Sequence, residues 1–139
     1  MEIIRLSENS FKIKGKLAVV VVDFSDKKTT VGDFSVDSPG EYEIAGVTVF
    51  GAINFHKIKI DGVDVCCLFA DGNKLEQDQL DLIGNVDILL VLKKADEIVT
   101  QLEPLVIVTL EKSGTIDSQA KFVITKDKLP ETTTYVHLS

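Results

Sequence analysis

Short apolar runs broken by turn-forming residues dominate the chain, the pattern of a β-rich domain. Glu2–Leu6 and Phe11–Lys14 read as the arms of an opening hairpin around Ser7-Glu8-Asn9-Ser10. Lys14-Gly15-Lys16 then turns the chain into Leu17–Asp23, a β-branched run suited to a strand buried on both faces. Asp26 to Asp33 is polar and reads as loop. Glu41–Ile44 and Val47–Gly51 form a second hairpin around Ala45-Gly46. Phe55–Ile60 and Val63–Phe69 form a third around Asp61-Gly62, the strongest short hairpin signal in the chain. In its first arm Lys57, Lys59 and Asp61 alternate with His56, Ile58 and Ile60, so a period of two separates a wet side from a packed side.

Helical periodicity appears in only two places. Lys74–Ile83 carries Leu75, Leu82 and Ile83 on one face with Leu80 at its edge; Asn73 is the expected N-cap, Glu76 its capping-box partner and Gly84 the stop. Ala95–Leu102 carries Ile98, Val99 and Leu102 as a stripe before Pro104. Strands are expected at Val86–Leu92, Leu105–Leu110, Lys121–Thr125 and Thr134–Leu138. No repeat or long linker interrupts the pattern, so residues 1–139 read as a single α+β domain.

Composition narrows the functional classes. The net charge is −7 and Arg5 is the sole arginine, which argues against nucleic acid, whose phosphates need clustered cations. The basic pairs Lys27-Lys28 and Lys93-Lys94 read as solvated loop ends. The apolar run Leu17–Val22 falls far short of the ~20 residues that span a bilayer, so no membrane association is expected. No basic-then-apolar leader follows Met1, and a cytoplasmic location is the expectation. Cys66 and Cys67 are neighbours that point to opposite faces of a strand, so they do not bridge, and no zinc-type cysteine spacing exists. No GxSxG elbow or phosphate-cradling glycine loop is present. Counting from Asp61-Gly62 places His56 opposite Cys67 or Leu68, a proximity that reads as packing rather than a catalytic dyad.

The run Ser38-Pro39-Gly40-Glu41-Tyr42-Glu43-Ile44-Ala45-Gly46-Val47-Thr48-Val49 resembles the GPGEYEI-x-GV-x-V segment of small metal-dependent hydrolases with the metallo-β-lactamase fold. Further segments resemble that family in the same order. Met1–Leu6 with Asn9–Gly15 resembles its MEI-x-x-LGHSSF-x-I-x-G opening, and Ile60–Cys66 its IDG-x-x-VC hairpin. Gln79–Val91 resembles QL-x-x-LG-x-VDVLLVP, and Gln101–Val108 resembles QLEPKIVIP. The resemblance implies a truncated αββα sandwich with two packed sheets and two to three short helices.

The departures fall on the chemistry. The family's HxHxDH cluster precedes the GPGEYEI segment, whereas Asp26–Val36 contains no histidine here. Glu8 stands where LGHSSF has its histidine, and Thr109-Leu110-Glu111-Lys112 stands where PMHY has another. Ala70-Asp71 replaces a GD pair. Asp71 and His56 are therefore the only vestigial metal candidates, Asp71-Gly72 also reading as a plain turn and His56 as a packed strand residue; His137 matches no ligand position. A catalytic zinc takes three protein ligands plus water, so no catalytic residue, metal or cofactor is expected. The expectation is a non-catalytic member of this fold acting as a binding or assembly module with an unknown protein partner. Alternatives are a hydrolase with a site shared between subunits around Asp71, and a small-molecule sensor using the vestigial cleft. Loss of the ligand loop is expected to uncover the edge of Leu17–Val22 and favour a two-fold dimer, unless Asp26–Val36 folds over the gap.

Overall fold

The computed structural model describes residues 1–69, 74–93, 95–111 and 117–139. The strands are β1 Glu2–Ser7, β2 Ser10–Lys14, β3 Val19–Asp23, β4 Lys28–Val31, β5 Phe34–Val36, β6 Gly40–Ile44 and β7 Val47–Gly51. They continue with β8 Phe55–Ile60, β9 Val63–Leu68, β10 Ile88–Val91, β11 Val106–Thr109, β12 Ser118–Gln119, β13 Lys121–Val123 and β14 Thr134–Leu138. The α-helices are α1 Gln77–Ile83 and α2 Asp96–Leu102. A six-stranded sheet runs β13-β1-β2-β3-β4-β5, and an eight-stranded sheet runs β12-β14-β11-β10-β9-β8-β7-β6. The first is antiparallel throughout; the second is antiparallel from β6 to β9 and parallel from β9 through β10, β11 and β14.

Alternation builds the layers. Ile3, Phe11, Ile13, Val20, Val22 and Val31 from one sheet meet Val49, Ile58, Val65, Leu90 and Val108 from the other in one buried cluster. The opposite face of the eight-stranded sheet presents Phe55, Cys66, Leu68, Leu89 and Ile107, which pack with Leu75, Ile83 and Ile98 of the helical layer. The two stacked sheets and short helices expected from the sequence are thus present. The truncation falls on one helical layer: among the described residues, no α-helix covers the outer face of the six-stranded sheet.

Two hairpin turns have the local chemistry their sequences announce. Ala45-Gly46 and Asp61-Gly62 hold positive φ at both central positions, 52° and 80° in the first and 52° and 77° in the second. That twist matches the flanking strands, and a side chain at the second position of either would be strained.

Several sequence expectations are corrected. Asp26–Asp33 is not loop: β4 pairs with β3, and β5 follows, because Thr29, Val31 and Val36 alternate into the core. This hairpin covers the β3 edge that was expected to lie open. Asp23 Oδ1 accepts the backbone N–H groups of Ser25 and Asp26, at 2.9 and 3.1 Å, and so starts its turn. Leu17–Asp23 is buried on one face only, since Val20 and Val22 point inward while Leu17 is 79% exposed. Helix α1 begins three residues later than expected. Its N-cap is Glu76, joined to Gln79 in a reciprocal capping box, and Asn73 lies outside the described residues. The shift leaves Leu82 exposed at 58%, while Ile83 is buried and Leu80 packs beside it. Helix α2 matches its expected span but for Ala95, which is the N-cap.

The sandwich end opposite the C-terminal tips of the parallel strands is tied at Asp87, which is buried. Its carboxylate accepts the Asp64 N–H at 2.9 Å, the Lys126 ammonium at 2.8 Å and the Asn85 amide at 3.4 Å. Its main chain bonds Asp64, Leu105 and Val106, so one residue joins the starts of β9, β10 and β11. Burial acts to raise the Asp87 pKa, but the Asp64 N–H and the Lys126 and Asn85 contacts outweigh it and hold the carboxyl below its ordinary value.

Two stability outcomes follow from this packing. Ile83→Ala should cost roughly 2–5 kcal/mol in urea unfolding, and Leu82→Ala about 0.5 kcal/mol or less. For Asp87 the folded pKa lies below the unfolded ~3.9, so its contribution is present above that value and is lost as pH falls through the folded pKa. Asp87→Asn should therefore lose about 1–3 kcal/mol at neutral pH and flatten the decline of stability below pH ~4, read from urea melts across pH.

Candidate functional site

The C-terminal ends of β9, β10, β11 and β14 point to one end of the sandwich, where the starts of β4 and β8 also lie. This lip gathers both histidines of the chain.

His56 is the second residue of β8 and faces inward, in step with Ile58 and Ile60. It lies opposite Gly51 on β7 and Cys67 on β9. A Cβ at Gly51 would crowd the Ser38 carbonyl oxygen at 3.1 Å and Val36 at 3.3 Å, while meeting His56 Nε2 only at an ordinary contact distance of 3.5 Å. Nδ1 is hydrogen-bonded to Thr29 Oγ1 at 2.8 Å, and Thr29 sits fully buried on β4 of the other sheet. The bond thus joins the two sheets across the interior. The imidazole meets Phe69 edge-on at 4.9 Å, Phe69 meets Phe24 at 5.1 Å, and Phe24 meets Phe11 at 5.5 Å. Four rings therefore fill the lip from one sheet to the other. Burial lowers the His56 pKa to about 4, keeping the ring neutral at physiological pH.

His137 is consumed differently. In the neutral ring Nε2–H donates to the Leu110 carbonyl at 3.1 Å, which leaves Nδ1 to accept the Ser118 hydroxyl at 2.8 Å. Both nitrogens serve to pin β12 and the end of β11 to β14. At the end of β11, Thr109 Oγ1 donates to the Leu92 carbonyl at 3.1 Å and accepts the Glu111 N–H at 3.2 Å, an internal cap. Lys112 and Asp71, with Ala70, Gly72 and Asn73, lie outside the described residues.

The cysteines divide between the two cores as their adjacency predicts, Cys67 inward and Cys66 toward the helices. Burial pushes the Cys66 thiol up to about 12, against the opposing pull of Lys57, and pushes Cys67 well above its ordinary value. A nucleophilic cysteine needs the thiolate. His56 and Cys67 are paired as counted from the turn, but a neutral thiol beside a neutral imidazole is packing.

The described residues do not fit a catalytic metal. Among them, no three His, Cys, Asp or Glu side chains gather around a common point. His137 has both ring nitrogens bonded, to Leu110 and Ser118, whereas His56 is bonded through Nδ1 to Thr29, and the space beside it between the sheets is aromatic. Sequence reasoning found the packed state of His56 from its alternation. It missed Thr29, whose polar neighbours Lys27, Lys28 and Thr30 concealed an inward-facing strand position.

No family model matches the chain, and no curated protein matches it. Among solved structures, the fold is similar to that of a protein from Thermotoga maritima proposed to be a zinc-dependent hydrolase of the metallo-β-lactamase superfamily. The TM-score is 0.74 at 16% identity, covering 99% of this chain and 98% of that one. The chain therefore has the metallo-β-lactamase fold.

The buried imidazole sets a pH dependence distinct from that of Asp87. Its folded pKa of about 4 lies below the unfolded ~6.5, so the unfolded chain binds the extra proton between these values. Stability should be unaffected by His56 above the upper value and fall as pH drops toward the lower one. His56→Gln should remove that slope, measured by urea unfolding at pH values across the window; an unchanged slope would place the titrating group elsewhere.

Proposed function

We propose that this chain is a non-catalytic form of the metallo-β-lactamase fold, retained as a binding or assembly module. The observation that carries the reading is the setting of the two histidines: both ring nitrogens of His137 are hydrogen-bonded inside the fold, while His56, bonded through Nδ1, sits in an aromatic cluster at the lip with no group of three ligand-type side chains gathered there among the described residues. A metal hydrolase needs several such ligands around one point and a position left open for water. The remaining charge pattern suits a protein partner rather than nucleic acid, since the net charge is −7 with a single arginine. No described helix is long and apolar enough to cross a membrane, which agrees with the cytoplasmic setting we infer. The β3–β4 hairpin removes the open-edge argument for a two-fold dimer, and self-association stays in this reading on the exposed apolar side chains Leu17 and Phe34 instead.

A second reading is favoured by the description of the Thermotoga maritima neighbour: a hydrolase whose site is completed between subunits around Asp71. The two readings separate on metal content. After dialysis, elemental analysis of purified protein should find no stoichiometric zinc, manganese or iron, and phosphodiester, lactone and lactam substrates should turn over at background rate. One retained transition ion per chain, lost in Asp71→Ala, would establish the second reading instead. Affinity capture from the native cell then identifies the partner.

A further inference from the structure

At the end of the sandwich opposite the lip, three turns converge: the β2–β3 turn, the β4–β5 turn and the β6–β7 turn. They enclose an open groove of about 740 Å³. Its apolar surface comes from Leu17, Val19, Phe34 and Ile44, of which Leu17 is 79% exposed and Phe34 47%. The Leu17 side chain reaches across from one sheet's turn to the other's, lying against Gly46, where a Cβ would stand 3.0 Å from it. Lys14, Lys16 and Asp33 form the exposed rim. Among the described residues, none of these three side chains is engaged in an ion pair or hydrogen bond within the chain.

We propose that this groove docks a second copy of the chain, groove to groove about a two-fold axis. The proposal rests on the self-association reading above and names its surface. Its first support is the rim. Lysines and an aspartate stand side by side around an apolar floor, and a two-fold axis can set the lysines of one copy against the aspartate of the other. A uniformly acidic or uniformly basic partner would instead meet like charge on part of the rim.

The second support is that the strand edges offer a poor alternative. β6 is the longest edge strand, and Glu41 and Glu43 lie on one face of it with no cation opposite on β7. Antiparallel pairing of two β6 edges centred on Tyr42 would set Glu41 against the partner's Glu43, a like-charge contact that opposes a continuous sheet. β5 and β13 span three residues each and β12 two, too short to hold two copies by main-chain bonds alone. Leu17, Val19 and Phe34 therefore form an apolar surface beside edges that are themselves guarded, and a symmetric copy covers it without exposing a new face.

Light scattering over a concentration series tests the proposal on the full chain. The expected mass at high micromolar protein is twice the 15.2 kDa of one chain, falling toward one chain on dilution. Leu17→Glu and Phe34→Asp should each weaken the dimer roughly tenfold or more, as hot-spot truncations do, with the urea midpoint of the monomer retained. Asp33→Lys should weaken it as well, and adding Lys14→Glu and Lys16→Glu to Asp33→Lys should restore it, a rescue that a merely structural role would not give. A single-chain mass at every concentration overturns both the proposal and self-association. A dimer indifferent to Leu17→Glu, Phe34→Asp and Asp33→Lys leaves self-association standing and overturns the groove. A monomer stabilised by dodecanoate, and not in Leu17→Glu, overturns it in favour of an amphiphile. The metal analysis decides the non-catalytic reading independently of all of these outcomes.

Discussion

Everything in this domain depends on the interface between two sheets that each bury one face against the other. The six-stranded sheet contributes Ile3, Phe11, Ile13, Val20 and Val22, and the eight-stranded sheet answers with Val49, Ile58, Val65, Leu90 and Val108. Such an interface admits polar groups only when their hydrogen bonds are made within it, because a buried donor or acceptor without a partner costs more than its pairing returns. Among the described residues, no buried side-chain polar atom is left unpaired. His56 obeys this constraint through Thr29, and the two residues together fasten β8 to β4. The same low-dielectric setting that makes the bond useful keeps the imidazole neutral.

Packing occupies the lip, and a metal centre there would have to share the same volume. A hydrolytic centre in this fold asks for several ligands and a water in the space between strand ends. Here that space holds Phe11, Phe24, Phe69 and the His56 ring in successive edge contacts. The β3–β4 hairpin, its turn started by the Asp23 carboxylate, brings Thr29 inward. The hairpin supplies an added strand and the hydrogen-bond partner of the one histidine that faces the interior.

Much of this was legible in the sequence where structure is set locally. Ala45-Gly46 and Asp61-Gly62 specify their turns through positive φ, and from the second of them counting leads to the pairing of His56 with Cys67. Alternation placed His56 with Ile58 and Ile60 on the packed face. The errors arise where tertiary context decides. Lys28-Thr29-Thr30-Val31 looks like loop by polarity, yet pairing with β3 turns Thr29 and Val31 inward. Leu82 looks like core until the capping box at Glu76 resets the start of the helix, after which Leu80 and Ile83 point to the sheet. Thr29 as the partner of His56 was beyond sequence reasoning, because the bond spans two sheets and no local pattern encodes it.

The account stands or falls on the state of the two imidazoles. Nitrogen-15 NMR of the histidine side chains, recorded at neutral pH with and without equimolar zinc, reports their protonation and any coordination. The prediction is a His56 ring that is neutral and hydrogen-bonded at Nδ1, and signals for His56 and His137 that zinc leaves unmoved. A zinc-induced shift of the His56 nitrogens, or an imidazolium signal from His56 at neutral pH, would contradict the reading of this lip as a packed interior.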